Sequence, residues 1–268
     1  MKENVQNTKE LKKKKKKRKK KEPWLVLTER DMGLLKFLFE HKIATMTQIS
    51  KHCYPTTHIE NARKRVSRME KKGFLKSDGC IQNQKLLKTY HLSHVGYQEF
   101  YENYRLEGLK GFKLKSDCPN HDMIALEVIE AIKKKENAIE VLTENYIQAL
   151  GGDTDDAGQD RAYEIRVDGF VKYKFNDSLI NMAIEYEHSR KSPARYANLV
   201  DKYYYDSGLR GVFYFYKEDC TRRAIEKREA EKWHEIYPRF YFFKLENVQD
   251  LEKEMIFETW KGRKLTVT

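Results

Sequence analysis

The chain is poor in the features that mark several common protein classes. Its 268 residues include four cysteines, which lie far apart and form no C-x-x-C pair. We therefore expect neither a zinc cluster nor a disulfide framework, and a cytoplasmic location is predicted. No apolar run approaches the roughly 18 residues of a transmembrane helix, so no membrane span is predicted. No apolar segment of signal-peptide length follows the basic N-terminus, so secretion by that route is not expected.

Several enzymatic signatures are also missing. The sequence has no Gly-Lys-Ser/Thr phosphate-binding loop, so an ATPase is not expected. No His-x-His metal-binding pair accompanies the tyrosines at 203–205, which argues against a tyrosine relaxase. Segment 153–164 matches an EF-hand loop at several positions. However, Ala157 replaces one ligand and a strand is predicted after the loop, so calcium binding is not expected.

Positive charge is abundant and is concentrated toward the N-terminus. Residues 1–22 carry a net charge of +9, residues 23–110 carry +6 and residues 111–268 carry −3. Ten consecutive basic residues, 12–21, repel one another and cannot bury a core, so we expect residues 1–22 to be a disordered arm. Such an arm binds phosphates nonspecifically, although a solubility tail, a nuclear-localisation run or a membrane-binding arm has the same composition.

The remaining chain has enough apolar material for folded cores, since hydrophobic residues make up 40% of the sequence. A chain of this length suggests two domains, which we place at residues 23–110 and 111–268. In the first, apolar spacing and capping residues predict a helix after Thr28 and further helices at 46–53, 58–72 and 94–104. A β-hairpin with a turn at 77–79 is predicted before the last of them.

The third predicted helix, 58–72, has two chemically different faces. At about 100° per residue, its apolar side chains share one arc, and the opposite arc carries cations and one amide but no carboxylate. Cations for phosphates, with Asn or Arg for base edges, are what a DNA-recognition helix needs. Two lysines of the hairpin extend this surface. The predicted DNA-binding residues are Asn61, Arg63, Lys64, Arg65, Arg68, Lys71, Lys72, Lys85 and Lys88.

This order of elements, with a hairpin after the third helix, resembles the winged helix-turn-helix family. Segment 90–96 matches the stretch that often closes the hairpin, or wing, and opens the next helix. The resemblance covers residues 24–104. It implies binding to duplex DNA, although a minority of such domains mediate only protein contacts.

The second domain is predicted to be α/β, with a mixed sheet covered by helices in the order αβββαβαβ. Asp168 is placed at the centre of a strand over 163–174, and Glu185 in its antiparallel neighbour over 181–188. The two strands are joined by a short turn, so the two carboxylates should lie level with each other on one side of the sheet. A buried carboxylate is costly unless it is paired or bound to a metal ion.

Two arrangements would satisfy these carboxylates. Together they could hold Mg²⁺, with Glu127 or Glu130 of the preceding helix completing the cluster. Alternatively, basic side chains form a structural ion pair with them. The candidates for that pairing are Arg166, Arg190 and Lys172.

This half of the chain resembles the PD-(D/E)XK nuclease-like fold, whose core order is αβββαβ. The family motif is an aspartate, a spacer and then Glu-x-Lys, and Asp168 and Glu185 fill the acidic positions. Glu187 stands where the lysine is expected. If the domain cleaves DNA, the predicted catalytic residues are Asp168, Glu185, Glu187 and Glu127, and another lysine must take the place of the motif lysine. The candidate lysines are Lys172, Lys174 and Lys191.

The whole chain, a basic winged helix followed by this fold with Glu-x-Glu, resembles the replication-relaxation family of Gram-positive plasmids, phages and integrative elements. Segments 167–169, 184–187 and 196–204 carry the resemblance. It implies DNA binding in the replication or mobilisation of such an element. The predicted partners are double-stranded DNA, replication or transfer proteins of the element, and a second copy of the chain as a homodimer.

Three functions remain open from the sequence. The first and favoured one is a sequence-recognising DNA-binding protein that does not cleave, because Glu187 replaces the expected lysine; it needs no cofactor. The second is a Mg²⁺-dependent endonuclease or nickase that uses Asp168 and Glu185. The third is a protein-interaction scaffold in a replication or transfer complex.

Overall fold

The computed structural model describes residues 25–82, 84–104, 109–205 and 208–267. The predicted arm, residues 1–22, lies outside these ranges. The first half of the chain contains α1 (Glu29–His41), β1 (Ala44–Thr45), α2 (Met46–Cys53), α3 (Ile59–Lys71), β2 (Leu75–Gln82), β3 (Lys85–Leu92) and α4 (His94–Tyr104). Its three strands form a small sheet in the order β1-β3-β2.

The second half begins with a helix and continues as alternating strands and helices. Its elements are α5 (Pro119–Ile132), β4 (Ala138–Thr143), α6 (Glu144–Leu150), α7 (Ala157–Ile165), β5 (Gly169–Phe175), β6 (Ser178–Glu187), α8 (Pro193–Tyr204), β7 (Gly211–Tyr216), α9 (Asp219–Lys232), β8 (Phe240–Lys244), a 3-10 helix (Val248–Glu252), β9 (Met255–Glu258) and β10 (Lys264–Val267).

One seven-stranded sheet runs through this half in the order β10-β9-β8-β7-β6-β5-β4. Strands β4, β5 and β6 are antiparallel, β6, β7 and β8 are parallel, and β8, β9 and β10 are antiparallel. Helix α5 packs on one face, and α7, α8 and α9 pack on the other. The mixed α/β class is therefore confirmed. Within the described ranges, no helix has the length and apolar character that a membrane span requires.

Capping side chains set the starts of the first helices. The Thr28 hydroxyl accepts from the Asp31 amide, and the Asp31 carboxylate accepts from the Thr28 amide. Thr45 and Gln48 form the same capping box before α2. The predicted boundaries of α2 and α4 are confirmed, and α3 is confirmed to within one residue at each end, with His58 as its cap.

The β2–β3 hairpin is longer than the sequence predicts. A turn is predicted at 77–79, but β2 and β3 stay paired through these residues. The predicted turn is wrong. Segment 77–79 has the composition of a turn, but its polar side chains form ion pairs and hydrogen bonds with other parts of the fold. The Asp78 carboxylate pairs with Lys115 (Nζ–Oδ2 2.9 Å) and with His91 (Nε2–Oδ2 3.1 Å).

The segment before Asp168 is helical rather than extended. A strand is predicted over 163–174, whereas α7 ends at Ile165 and β5 begins only at Gly169. Asp156 caps α7, since its Oδ1 accepts from two amides of the first turn (2.8 and 3.2 Å). Asp168 therefore precedes its strand instead of lying at the centre. Helix α7 also begins inside the segment that an EF-hand loop would occupy.

The two halves pack against each other through α1, α2, α5 and α6. Asn145 at the start of α6 donates from Nδ2 to the Phe39 carbonyl of α1 (2.6 Å). Gln48 of α2 donates from Nε2 to the Met123 carbonyl of α5 (2.8 Å). Leu126 of α5 belongs to the apolar core of the first half. Helix α6, which the sequence does not predict, thus serves the contact between the halves.

Candidate nucleic-acid interface

Helix α3 separates apolar from cationic side chains, as the sequence predicts. Ala62, Val66 and Met69 are fully buried and fix the helix against the core. The exposed residues of the opposite side and of the C-terminal cap are Asn61, Lys64, Arg68, Lys71 and Lys72. Among the described residues, no carboxylate lies within ion-pair distance of Lys64, Arg68 or Lys71. These three cations are therefore available to an external anion.

Arg65, predicted to flank the cationic arc, faces the protein instead. Its guanidinium donates to the buried Asp31 carboxylate (Nε–Oδ1 2.8 Å) and to the Val26 carbonyl (Nη2–O 2.8 Å). Although burial opposes ionisation of Asp31, the Arg65 hydrogen bonds lower its pKa overall. Arg65 therefore stabilises the packing of α3 on α1 and is not free to read DNA.

The remaining predicted DNA-binding cations divide into paired and unpaired groups. Lys88 of β3 pairs with Glu70 of α3 (Nζ–Oε2 3.0 Å), which ties the hairpin to the helix. Arg63 pairs with Glu60 within α3. Lys85 is exposed, and in the described part of the chain no carboxylate pairs with it. The hairpin therefore presents, in the described part of the chain, one exposed lysine without a carboxylate partner.

A groove of about 1100 Å³ lies where the start of α5 meets the ends of β5 and β6 and the start of α8. Both carboxylates and cations line it. The carboxylates are Asp117, Asp122, Glu144, Asp168, Glu185 and Glu187. The cations are Lys42, Lys113, Arg166, Arg190, Lys191, Arg195 and Lys202. Within the described ranges, no carboxylate lies within ion-pair distance of Arg166, Arg190, Arg195 or Lys202.

The structure brings Asp168 and Glu185 together, as their spacing predicts. Gly169 pairs with Ile184, so the preceding Asp168 and the following Glu185 lie at the same end of β5 and β6. Asp168 Oδ2 accepts from the Tyr186 amide (2.8 Å). Burial, followed by the nearby Asp168 carboxylate, raises the pKa of Glu185 to about 8. The Asp168 carboxylate therefore disfavours ionisation of Glu185.

His121 at the start of α5 is the cation that meets Asp168. Its Nε2 lies 3.4 Å from Asp168 Oδ2 and 3.0 Å from the Tyr186 carbonyl, and its Nδ1 lies 3.0 Å from Asp122 Oδ1. Although burial opposes the charged form, the Asp168 carboxylate and the bond to Asp122 raise the pKa of His121 to about 11. Both ring nitrogens therefore act as donors at neutral pH.

The basic residues predicted to pair with the two acids do not do so in the structure. Lys172 pairs with Glu140 (2.7 Å) and Asp156 (2.9 Å), because its side chain leaves β5 toward β4 and the cap of α7. Arg166 and Arg190 are exposed at the groove. Asp168 therefore does form an ion pair, but its partner is the imidazolium of His121, from a distant part of the sequence.

Glu187 has a lysine partner that follows it in sequence. Lys191 lies 2.6 Å from Glu187 (Nζ–Oε2), and Glu187 is only 5% exposed. Tyr214 donates to the same carboxylate oxygen (3.4 Å). Of the three lysines that the sequence offers as substitutes for the missing motif lysine, Lys191 is the one that reaches the acidic cluster.

Glu127 lies away from the other predicted catalytic acids. Its carboxylate pairs with Lys51 (Nζ–Oε2 3.2 Å) and with His52 (Nε2–Oε2 3.3 Å), both on α2. Glu130, one turn further along α5, bonds His41 of α1 (2.9 Å). Both acids face the first half of the chain and hold the two halves together, so neither completes a cluster with Asp168.

No protein-family model, no curated protein and no solved structure matches this chain. Its function is therefore argued from the surfaces and side-chain geometry described above.

Proposed function

We propose that the protein binds duplex DNA as part of a mobile genetic element and does not cleave it. The observation that carries the proposal is the outer side of α3. There Lys64, Arg68 and Lys71 are exposed opposite a fully buried face and have no carboxylate partner among the described residues. An α-helix fits the major groove of B-DNA. There, Arg68 can read a guanine edge and Asn61 an adenine edge, while lysines contact phosphates.

The order of elements supports this proposal. Three helices, a hairpin and a fourth helix follow one another as in a winged helix-turn-helix domain. Helix α5 and strands β4, β5 and β6, followed by α8 and β7, have the αβββαβ order of a PD-(D/E)XK-like core, with α6 and α7 as additions. A winged helix joined to such a core with Glu-x-Glu favours a role like that of the replication-relaxation family, in replication or mobilisation.

The groove is a second surface to which a polyanion such as DNA would bind. Arg166, Arg190 and Arg195 line it without an intramolecular carboxylate partner among the described residues. Unpaired guanidinium groups bind phosphate oxygens strongly because their donors match them in pairs. Residues 111–268 carry a net negative charge, so this clustering of cations is local rather than a result of composition.

Salt dependence tests the proposal directly. Wild-type protein should bind a fluorescent duplex with an affinity that falls about 1000-fold between roughly 50 and 200 mM salt, as six or more phosphate contacts require. Fluorescence anisotropy across a salt series measures this. A protein that acts only as a scaffold would show no duplex affinity at low salt, and that result would contradict the proposal.

A metal-dependent nuclease is the second candidate, because Lys191 reaches the acidic cluster and exposed arginines line the same groove. Asp168 and Glu185 lie at the same end of β5 and β6, where their carboxylates would be the ligands of a divalent ion. Mg²⁺ held there would polarise a phosphodiester and activate water. Against this, the His121 imidazolium already pairs with Asp168, and the Lys191 ammonium is already bound to Glu187.

Plasmid nicking separates the two candidates. We expect purified protein to leave supercoiled plasmid intact in Mg²⁺ and in Mn²⁺ under conditions in which it binds the plasmid. Gel electrophoresis of wild type beside Asp168→Ala and Glu185→Ala gives the answer. Cleavage by wild type that both substitutions abolish would establish the nuclease and overturn the non-cleaving proposal.

A further inference from the structure

The side of α8 that lines the groove ends at an exposed tyrosine. Arg195, Asn198 and Lys202 line the groove, are exposed and are spaced by three and four residues, so they share one side of the helix. Tyr205, the C-terminal cap of α8, follows Lys202 by three residues, keeps helical backbone angles and is 69% exposed. Tyr205 therefore continues this side of α8, about 15 Å along the helix from Arg195.

Two further aromatic side chains lie next to Tyr205. Trp233, at the end of α9, meets the Tyr205 ring edge to face, with the ring centres 5.6 Å apart. Tyr237 is four residues further along the loop that follows α9, and it is 63% exposed. The Lys261 ammonium holds this loop, because it donates to the His234 carbonyl (2.7 Å). We call Tyr205, Trp233 and Tyr237 the aromatic surface.

Cations lie against the rings of the aromatic surface. Lys232 Nζ is 5.0 Å from the ring centre of Tyr205 and 5.1 Å from that of Trp233. It also donates to the Tyr205 hydroxyl (2.9 Å). The Arg263 guanidinium lies 4.6 Å from the ring centre of Tyr237. Because the cations contact the rings themselves, the positive charge and the exposed aromatic area belong to the same surface.

Positive charge exceeds negative charge on the aromatic surface. Asp201, the carboxylate beside it, is paired with Arg228 and with Lys232, at 2.8 Å each. The carboxylate of the loop after α9, Glu235, is exposed. The exposed cations of this surface that have no carboxylate partner in the described ranges are Lys261 and Arg263. The surface therefore complements an anion, although residues 111–268 as a whole carry a net negative charge.

Exposed rings beside cations fit unstacked bases and the phosphates that join them. In a duplex the faces of the bases are covered by neighbouring bases, whereas a single strand offers both its bases and its phosphates. Proteins that bind single strands combine a cationic groove, which follows the backbone, with aromatic side chains on which bases stack. The groove and the aromatic surface have these two properties, and one side of α8 joins them.

We propose that the groove and the aromatic surface bind single-stranded DNA, whose backbone follows the exposed side of α8 and whose bases stack on Tyr205 and Tyr237. The inference rests on the proposed function, since DNA passes through a single-stranded state when it is replicated or mobilised. It adds a second form of DNA, bound by the second half of the chain, to the duplex bound by α3.

Fluorescence anisotropy with a labelled oligothymidylate of about 20 nucleotides tests this inference, because this sequence forms no duplex. Wild-type protein should bind it at about 150 mM salt. Tyr205→Ala/Tyr237→Ala should weaken this binding by at least about 30-fold, through the loss of two stacked bases. Its affinity for a duplex of the same length should stay within about threefold of wild type, since α3 is unchanged.

Retention of the rings separates stacking from hydrogen bonding. Tyr205→Phe/Tyr237→Phe removes both hydroxyls, including the one that accepts from Lys232, and should bind the oligothymidylate within about threefold of wild type. An equal loss in the Phe and Ala variants would show that the rings do not stack on bases, which would contradict the inference.

The matched control is Tyr104→Ala/Phe175→Ala. It removes two aromatic side chains, 40% and 44% exposed, that lie outside the aromatic surface. This control should bind the oligothymidylate as wild type does. Lys261→Ala/Arg263→Ala should reduce the slope of log affinity against log salt by about 0.7 for each phosphate contact that is lost.

The two forms of DNA make the outcomes distinguishable. Wild type that binds duplex but not oligothymidylate, or equal binding of oligothymidylate by Tyr205→Ala/Tyr237→Ala, would overturn the inference while the proposed function stands. Binding of oligothymidylate without binding of duplex would support the aromatic surface and overturn the proposed function. If wild type binds neither at low salt, both are wrong.

A protein partner is the other ligand that aromatic residues and arginine favour. If Tyr205→Ala/Tyr237→Ala binds oligothymidylate as wild type does but changes the sedimentation coefficient of the free protein, the aromatic surface contacts a second copy of the chain. That result would also overturn the inference.

Discussion

Lys64→Ala/Arg68→Ala is expected to weaken duplex binding by roughly 100-fold at low salt, since a base-reading arginine is worth about 1–3 kcal/mol and a phosphate contact adds to it. Both side chains are exposed, and in the described part of the chain neither has a carboxylate partner. Alanine favours a helix, and the buried face of α3 is unchanged. The loss should therefore appear in binding and not in the free energy of unfolding.

A second helix provides a matched control for this variant. Arg223 and Lys227 on α9 are exposed, have the same spacing of four residues and remove the same charge when replaced by alanine. Arg223→Ala/Lys227→Ala should bind within about threefold of wild type, because only long-range charge changes. Anisotropy measures both affinities. An equal loss in both double variants would show that net charge, and not the face of α3, determines binding.

Arg65 illustrates what a helical wheel can and cannot predict. The wheel correctly separates the buried Ala62, Val66 and Met69 from the cations of α3. It also places Arg65 beside those cations, although the structure shows Arg65 bonded to Asp31 of α1. Period and composition determine which side of a helix faces the core. They do not show which neighbouring helix offers a carboxylate, because that depends on tertiary packing.

In the groove as well, the sequence predicts contacts between residues that are close in the chain and misses those between distant segments. The short connection between β5 and β6 was enough to predict that Asp168 and Glu185 come together. His121 was not predicted as their partner, because it lies on α5 and nothing in its local sequence marks it. The missed α7 has a local signal, the Asp156 cap, but it stands within an acidic stretch that resembles a loop.

Glu185 should make stability depend on pH. Its pKa is raised by burial and by Asp168 to about 8 in the folded protein, from an ordinary value of 4.5. Between these values the folded state holds a proton that the unfolded state has lost. The free energy of unfolding therefore falls as pH rises through this window. His121 acts in the same direction, since its pKa is raised from 6.5 to about 11 and its stabilisation is lost as pH rises between these values.

Glu185→Gln should remove the part of this pH-dependent fall in the free energy of unfolding that comes from ionisation of Glu185. The amide resembles the protonated carboxyl, and its oxygen can still accept from the Tyr203 hydroxyl that bonds Glu185. The variant should match wild type near pH 5 and exceed it by up to about 4 kcal/mol near pH 9. Burial raises the pKa of Glu229 to about 7, which adds a pH dependence of its own, but both proteins share it and it cancels in the difference.

Urea unfolding followed by circular dichroism from pH 5 to pH 9 measures this difference, with the exposed Glu254→Gln as the control that should follow wild type. A gap between variant and wild type that stays constant with pH would show that Glu185 is ionised in the folded protein at neutral pH. In that case Glu185 would carry a negative charge in the groove, which is the form that binds a divalent cation. The result therefore also bears on the choice between DNA binding alone and cleavage.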